Sequence, residues 1–203
     1  MNRICILLLA LVALLLIYRQ IFLSPTIVNR EPLGENIICF GDSLTFGTGT
    51  REDLSYPSHL SRLIELPIIN KGYPGDTTAD GLHRLERDVL KNSPRIVLIT
   101  LGGNDLKNGV NKKEAFSNLR KIIMAIQAEG ALVIIGEIRI PFLSRDFSKE
   151  YKTVCRETGA VFVPDILGGI MGDTSLMSDR IHPNGEGYEI MAGKFLKAIT
   201  PFL

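Results

Sequence analysis

Only three histidines occur in the 203 residues, and His182 stands in a setting unlike the other two. Asp179 precedes it by three positions, Pro183 follows it, and Asn184 is placed to cap a helix. A carboxylate three residues before an imidazole reaches its Nδ1 from the same turn and fixes the tautomer, so that Nε2 can take a proton. The hydroxyl that would give that proton is Ser43, in the run Gly41-Asp42-Ser43-Leu44-Thr45. A neutral hydroxyl is a poor nucleophile unless a base lies within hydrogen-bond reach. The chemistry these residues suggest is nucleophilic acyl transfer, which also needs donors for a tetrahedral oxyanion. Three are available: the backbone amides of Ser43 and Gly75 and the side-chain amide of Asn104. His59 and His83 fall on the polar sides of helices and read as surface residues. Asp42 and Asp105 are tempting as an acid/base pair but read as structural carboxylates bonding loop amides. A two-carboxylate glycosidase would leave Ser43 and His182 without a role.

These residues need a scaffold that brings distant parts of the chain together. Short apolar runs recur at Ile37–Phe40, Pro67–Asn70, Ile96–Leu101, Leu132–Gly136 and Val161–Pro164. They are apolar on both faces, as strands of a parallel sheet covered by helices must be. Segments with helical spacing lie between them: Leu60, Leu63 and Ile64; Leu82, Leu85 and Val89; Phe116 to Ile126; Phe147 to Cys155; and Tyr188 to Ile199. Asn111 reads as an N-cap, with Glu114 in capping-box position and Gly130 just past the helix end. Alternating strands and helices predict one doubly wound α/β domain, with chemistry gathered beyond the carboxyl ends of the strands. The candidate residues fall in such loops.

The N-terminus is a separate matter. Ile4 to Ile17 is an unbroken run of fourteen apolar residues behind Arg3, and Tyr18, Arg19 and Gln20 separate it from Ile21, Phe22 and Leu23. A positive n-region before an apolar run marks export; read through to Leu23 it is long enough to span a bilayer. Residues 1–23 are therefore expected to be an uncleaved anchor or a cleaved signal peptide, 24–36 a linker, and 37–203 the folded domain, outside the cytoplasm. Residues 1–23 hold two of the 23 basic residues and none of the 22 acidic ones, so the remainder carries a charge of about −1. That gives no preference for nucleic acid. Three cysteines make no disulfide framework, and Cys39 and Cys155 read as buried free thiols. No H-E-x-x-H, paired C-x-x-C or P-loop pattern occurs, so neither metal nor cofactor is expected.

The four loops resemble the blocks of the SGNH hydrolases, or GDSL esterases/lipases, over nearly the whole chain from Ile37 to Leu203. The stretches IINKGYPGDTTADGLHRL, VLITLGGNDLKNG and DRIHPNGEGY are most similar to the bacterial thioesterase I/lysophospholipase/arylesterase group. The resemblance implies a flavodoxin-like three-layer α/β/α sandwich with a five-stranded parallel sheet ordered 2-1-3-4-5. It implies Ser43 as nucleophile, Asp179 and His182 completing the triad, and Gly75 and Asn104 as oxyanion donors beside the Ser43 amide. Gly72 is the rival for the second-block glycine; Gly75-Asp76-Thr77 is the better match. The elbow G-x-S-x-G is absent, since position 45 is Thr, which excludes the commoner α/β-hydrolase fold. The expected activity is that of a monomeric serine esterase acting on small acyl esters, thioesters or lysophospholipid-like substrates. Ile138–Phe147 is expected to supply a wall of the acyl pocket. The alternatives are a carbohydrate O-acetylesterase and a catalytically silent binding module on the same fold.

Overall fold

Ile37, Ile38, Cys39 and Phe40 are all buried, although successive side chains of a strand point to opposite faces. The strand they form, β1 (Asn36–Gly41), must therefore be covered on both sides. In the computed structural model, which describes Cys5 and residues 26–140 and 145–203, it is central in a five-stranded sheet. Its partners are β2 (Ile68–Gly72), β3 (Pro94–Thr100), β4 (Leu132–Gly136) and β5 (Val161–Val163). The order is β2-β1-β3-β4-β5 and every pairing is parallel, with Cys39 opposite Asn70 on one side and Leu98 on the other.

The five long helices expected between the strands are present. They are α2 (Tyr56–Ile64), α3 (Thr78–Asp88), α5 (Lys112–Ala128), α6 (Arg145–Thr158) and α7 (Gly185–Ile199). Two short helices, α1 (Ser43–Phe46) and α4 (Gly103–Lys107), follow β1 and β3. They are too short to show a hydrophobic period. One face of the sheet packs Ile37, Cys39, Ile96 and Leu98 against α2 and α7, where Tyr56 and Phe195 stack with ring centroids 5.0 Å apart. The other face packs Ile38, Phe40, Val97 and Ile99 against α3, α5 and α6. The result is the expected three-layer sandwich. Cys39 and Cys155 are buried free thiols, as expected.

Two local expectations change. Asn111 does cap α5, but its side chain accepts from the Lys113 amide rather than from Glu114, so no reciprocal box forms there. The box forms at the start of α3, where Thr77 Oγ1 accepts from the Asp80 amide and Asp80 accepts from the Thr77 amide. The described part of the expected linker also lies against the domain. Val28 donates to Gly159 O, Leu33 to Gly130 O, and the Asn29 side chain to Gln127 O and Ala131 O. The apolar N-terminal run, Cys5 apart, lies outside the described residues; among those described, no helix is long and apolar enough to cross a membrane.

Candidate active site

Parallel strands place all their carboxyl ends along one edge of the sheet. β1 ends at Gly41; Asp42 then caps α1 by accepting from the Leu44 amide, and Ser43 becomes the first helical residue. At a helix start the first amides have no intrahelical acceptor. Among the described residues no acceptor meets the Ser43 amide.

His182 arrives from the other end of the chain on a closed loop. Met177 bridges Pro183, and the amide and hydroxyl of Ser178 both donate to His182 O. Asn184 then caps α7 through the Gly187 amide, as the sequence suggests. Within this loop Asp179 Oδ1 accepts from the Ile181 and His182 amides, and Oδ2 lies 2.7 Å from His182 Nδ1. The imidazole hydrogen bond, together with those two amides, holds the Asp179 carboxyl down to about 2. With the Nδ1 proton donated to that carboxylate, Nε2 is an acceptor. Ser43 Oγ is 3.0 Å from it. The hydroxyl, imidazole and carboxylate thus form one hydrogen-bonded chain, 139 residues apart in sequence at its longest step.

Asn104, in α4, faces the same place. Its Nδ2 donates to Asp76 O at 2.9 Å and lies 3.5 Å from Asp42 Oδ2. Ser43, Asn104 and His182 line one cavity of about 480 Å³, whose walls include Ile138, Ile140, Leu167 and Met171. Gly75 is not among its lining residues but sits on the adjoining loop, one position before Asp76. It has φ of +92°, which disfavours any other residue, and its amide meets no acceptor among the described residues. The rival Gly72 differs. Its amide already donates to Asn70 Oδ1, and a Cβ there would lie 2.0 Å from Phe46 N, so its role is close packing of β2 against α1. The expected pocket segment divides: Ile138 and Ile140 line the cavity, Phe142 and Leu143 lie outside the described residues, and Phe147 is buried against Phe116 beneath the sheet's other face.

The two other carboxylates behave as structural groups. Asp105 is buried and accepts from both the amide and hydroxyl of Thr78, which ties α4 to the start of α3. Asp42 is also buried. Desolvation, opposed by the Leu44 amide and helped by the charges of Asp76 and Asp105, pushes its carboxyl up to about 7. Of the other histidines, His83 is exposed as expected, but His59 is half-buried, with Nδ1 3.0 Å from Arg62. Burial, with the Arg62 charge, lowers its pKa.

Sequence reasoning missed Arg84. This side chain is 7% exposed and pairs with Asp76 at 2.5 Å and Asp88 at 3.2 Å. It also donates to Lys71 O and Gly41 O, and its guanidinium lies 4.2 Å from the Phe40 ring centroid and 4.4 Å from that of Tyr73. One planar fork therefore joins the end of β1, the end of β2 and the Gly75-Asp76 loop. The available signal was its place on the inward stripe Gly81, Arg84, Leu85, Asp88 of an otherwise polar helix.

A family model described as GDSL-like lipase/acylhydrolase matches residues 39–190, which contain every residue of the hydrogen-bonded chain. The chain belongs to the GDSL-like lipase/acylhydrolase family. Among its curated relatives is an arylesterase from Vibrio mimicus, 32% identical over 163 residues, covering 75% of this chain and 82% of the relative. Another is the thioesterase 1/protease 1/lysophospholipase L1 of Escherichia coli, 26% identical over 182 residues, covering 86% of this chain and 88% of the relative. A crystal structure of TesA superposes with a TM-score of 0.79 at 27% identity, covering 83% of this chain and 100% of that one. This GDSL-family chain is accordingly a hydrolase acting on ester bonds, with the fold of its structural relatives.

Proposed function

We propose that the chain hydrolyses carboxylic esters or thioesters, of the arylesterase, acyl-thioesterase or lysophospholipase type, through an acyl-enzyme on Ser43. His182 Nε2 takes the Ser43 proton as Oγ attacks the carbonyl carbon. The tetrahedral oxyanion is held by the amides of Ser43 and Gly75 and by Asn104 Nδ2. His182 then passes its proton to the departing alcohol or thiol. Water, deprotonated by the same imidazole, attacks the acyl-enzyme and releases the acid, regenerating Ser43. Asp179 keeps the tautomer and carries the imidazolium's counter-charge. No step needs a metal or cofactor. The single observation behind this reading is the contact of 3.0 Å between Ser43 Oγ and His182 Nε2, with Asp179 2.7 Å behind the ring.

The aliphatic walls of the cavity favour acyl chains longer than acetyl over the carbohydrate O-acetylesterase alternative. The intact Ser43, Asn104, Asp179 and His182 argue against a silent binding module. The residues of 1–23 are proposed to carry the domain 37–203 out of the cytoplasm through the linker 24–36, by anchoring it or as a cleaved signal. Fractionation of cells expressing a tagged chain tests this, and a soluble cytoplasmic pool would contradict it.

Hydrolysis of p-nitrophenyl esters of graded chain length tests the catalytic reading. Ser43→Ala is expected to lower kcat by at least about 10⁴-fold and to abolish labelling by a fluorophosphonate probe. Retained turnover or labelling would remove Ser43 from the mechanism. Turnover confined to acetyl esters would select the O-acetylesterase reading.

A further inference from the structure

The chain enters the domain at the edge of the sheet opposite the active site. Before β1 begins, residues 26–36 run past the starts of β5, β4 and β3. The Val28 amide donates to Gly159 O, just before β5, and the Leu33 amide to Gly130 O, just before β4, both at 3.0 Å. Between them Asn29 Nδ2 donates to Gln127 O at 2.8 Å and to Ala131 O at 2.9 Å. Further on, the Glu35 and Asn36 amides donate to Ser93 O, just before β3. This strap lies close: a Cβ on Gly159 would come within 2.5 Å of Thr26 O, and one on Gly130 within 2.9 Å of the Leu33 side chain. Ile27 packs against the core layer of α2 and α7. Ser43, Gly75 and Asn104, by contrast, follow the last residues of β1, β2 and β3, and His182 meets Ser43 there. At about 3.3 Å per residue, the six residues of β1 alone put roughly 17–20 Å between the two edges.

We infer that this strap turns the mouth of the active site away from the membrane that residues 1–23 engage, so that its ester substrates arrive through water and not from that bilayer. This rests on the hydrolase reading above and on the anchored form of the N-terminal segment. Only Ser24 and Pro25 separate Leu23 from Thr26, a reach of about 10 Å at full extension. A compact domain of this length is roughly 40 Å across. So short a tether cannot carry the mouth round to the bilayer while the strap stays in place. Peeling the strap away would add about 35 Å of reach. It would also strip the Val28, Leu33 and Glu35 amides and the Asn29 side chain of their acceptors and uncover Ile27. The strap therefore sets orientation as well as closing the amino edge of the sheet. An acyl lipid in the anchoring bilayer keeps its carbonyl at the interface, about 30–40 Å from Ser43. The substrate class left to the site is an ester or thioester that diffuses through water, with an acyl chain that meets the aliphatic cavity wall.

The test uses the full-length chain in phosphatidylcholine vesicles. Beside it stands a variant with about 20 Gly/Ser residues inserted between Leu23 and Ser24, which lengthens the tether and leaves the strap intact. Ser43 is labelled with a fluorophosphonate that carries a donor dye, and energy transfer to acceptors on the lipid headgroups reads its height. The wild type is expected to hold the dye about 30–40 Å above the headgroups, and the insertion should lower the mean height. Turnover is read as the ratio of octadecyl butyrate, held in the same vesicles, to p-nitrophenyl butyrate added in solution. The two esters share an acyl group. The insertion should raise that ratio at least about tenfold, because the mouth then reaches the bilayer, while turnover of the dissolved ester stays unchanged. A wild-type dye within about 20 Å of the headgroups overturns the inference, as does a ratio unmoved by the insertion. A full-length chain that does not bind the vesicles overturns it too. In each of these cases labelling and turnover of p-nitrophenyl butyrate leave the hydrolase reading standing. If the chain neither labels nor turns over that ester, the hydrolase reading itself has failed and the inference with it.

Discussion

Asp42 stands next to Ser43, the proposed nucleophile, and is almost wholly removed from water, with the Leu44 amide as its compensating donor. A buried carboxyl with its pKa pushed up to about 7 binds a proton in the folded state where the unfolded chain has already lost it. Folding stability therefore falls as pH rises from the unfolded carboxylate range through 7. Between pH 5 and pH 8 this group is expected to lower stability by about 2–3 kcal/mol. Asp42→Asn should remove most of that difference, read from urea midpoints at the two pH values. Equal slopes in the variant and the wild type would show that Asp42 stays ionised in the fold. Asp179 acts in the opposite sense. Its carboxyl is held down to about 2, so whatever stability it lends is present above the unfolded carboxylate range and is lost only as pH falls through 2. Being about half exposed, it lends little; the role proposed for it is orientation of His182. Asp179→Asn is expected to leave the fold intact and reduce kcat by about 10³- to 10⁴-fold, because an amide no longer enforces the tautomer that frees Nε2.

Among the elements, α3 does the most to set the site. Its N-terminus is fixed by the Thr77–Asp80 box and by Asp105, and its Arg84 reaches across to the ends of β1 and β2 and to the loop of Gly75. Arg84→Gln removes the charge from two carboxylates of low exposure, and breaking such a pair typically costs about 3–5 kcal/mol. It is also expected to lower kcat by about 10- to 100-fold with a smaller change in KM, because it frees the loop that carries the Gly75 amide, a proposed oxyanion donor, and the Asp76 carbonyl that holds Asn104. Asp88→Asn separates the two effects. Asp88 meets Arg84 from one turn further along α3, and its described partners, Lys71, Arg84 and Arg87, do not include the Gly75-Asp76 loop, so this variant should lose stability while kcat stays near that of the wild type. A parallel loss of kcat in both variants would mean that Arg84 matters only for the fold. Thr77→Ala, which deletes the box, should cost about 1 kcal/mol, measured by chemical denaturation.

At the scale of the whole molecule, the sheet is held between two apolar layers, and the site depends on both. α1 with Ser43 belongs to the layer of α2 and α7, whereas Asn104 is tied by Asp105 to α3 in the other. Phe195 lies in the first layer, stacked on Tyr56 and close to Gly136 at the end of β4. Phe195→Ala leaves a cavity there, and such truncations cost about 3–5 kcal/mol. The expected result is a lower denaturation midpoint with kcat nearly retained at temperatures where the chain is folded. A large fall in kcat at full folding would show that the layer positions Ser43 directly.

The succession of strands and long helices was legible because burial on both faces leaves unbroken apolar runs in the strands, and one-sided burial leaves a helical stripe between them. Ser43, His182 and Asp179 were legible because reactive side chains are few and sit beside turn-forming residues that mark loops. The short helices α1 and α4 left no period to read, and Arg84 hid as one more charge on a charged helix. The amino-acid sequence by itself determined which groups are present and that a parallel α/β sheet carries them. Only the tertiary structure decided that Gly72 is consumed by packing while Gly75 is open, and that Arg84 joins the ends of β1 and β2 to the Gly75-Asp76 loop. Those outcomes depend on distances between residues far apart in the chain, which are set by how the layers close on the sheet and not by any local preference.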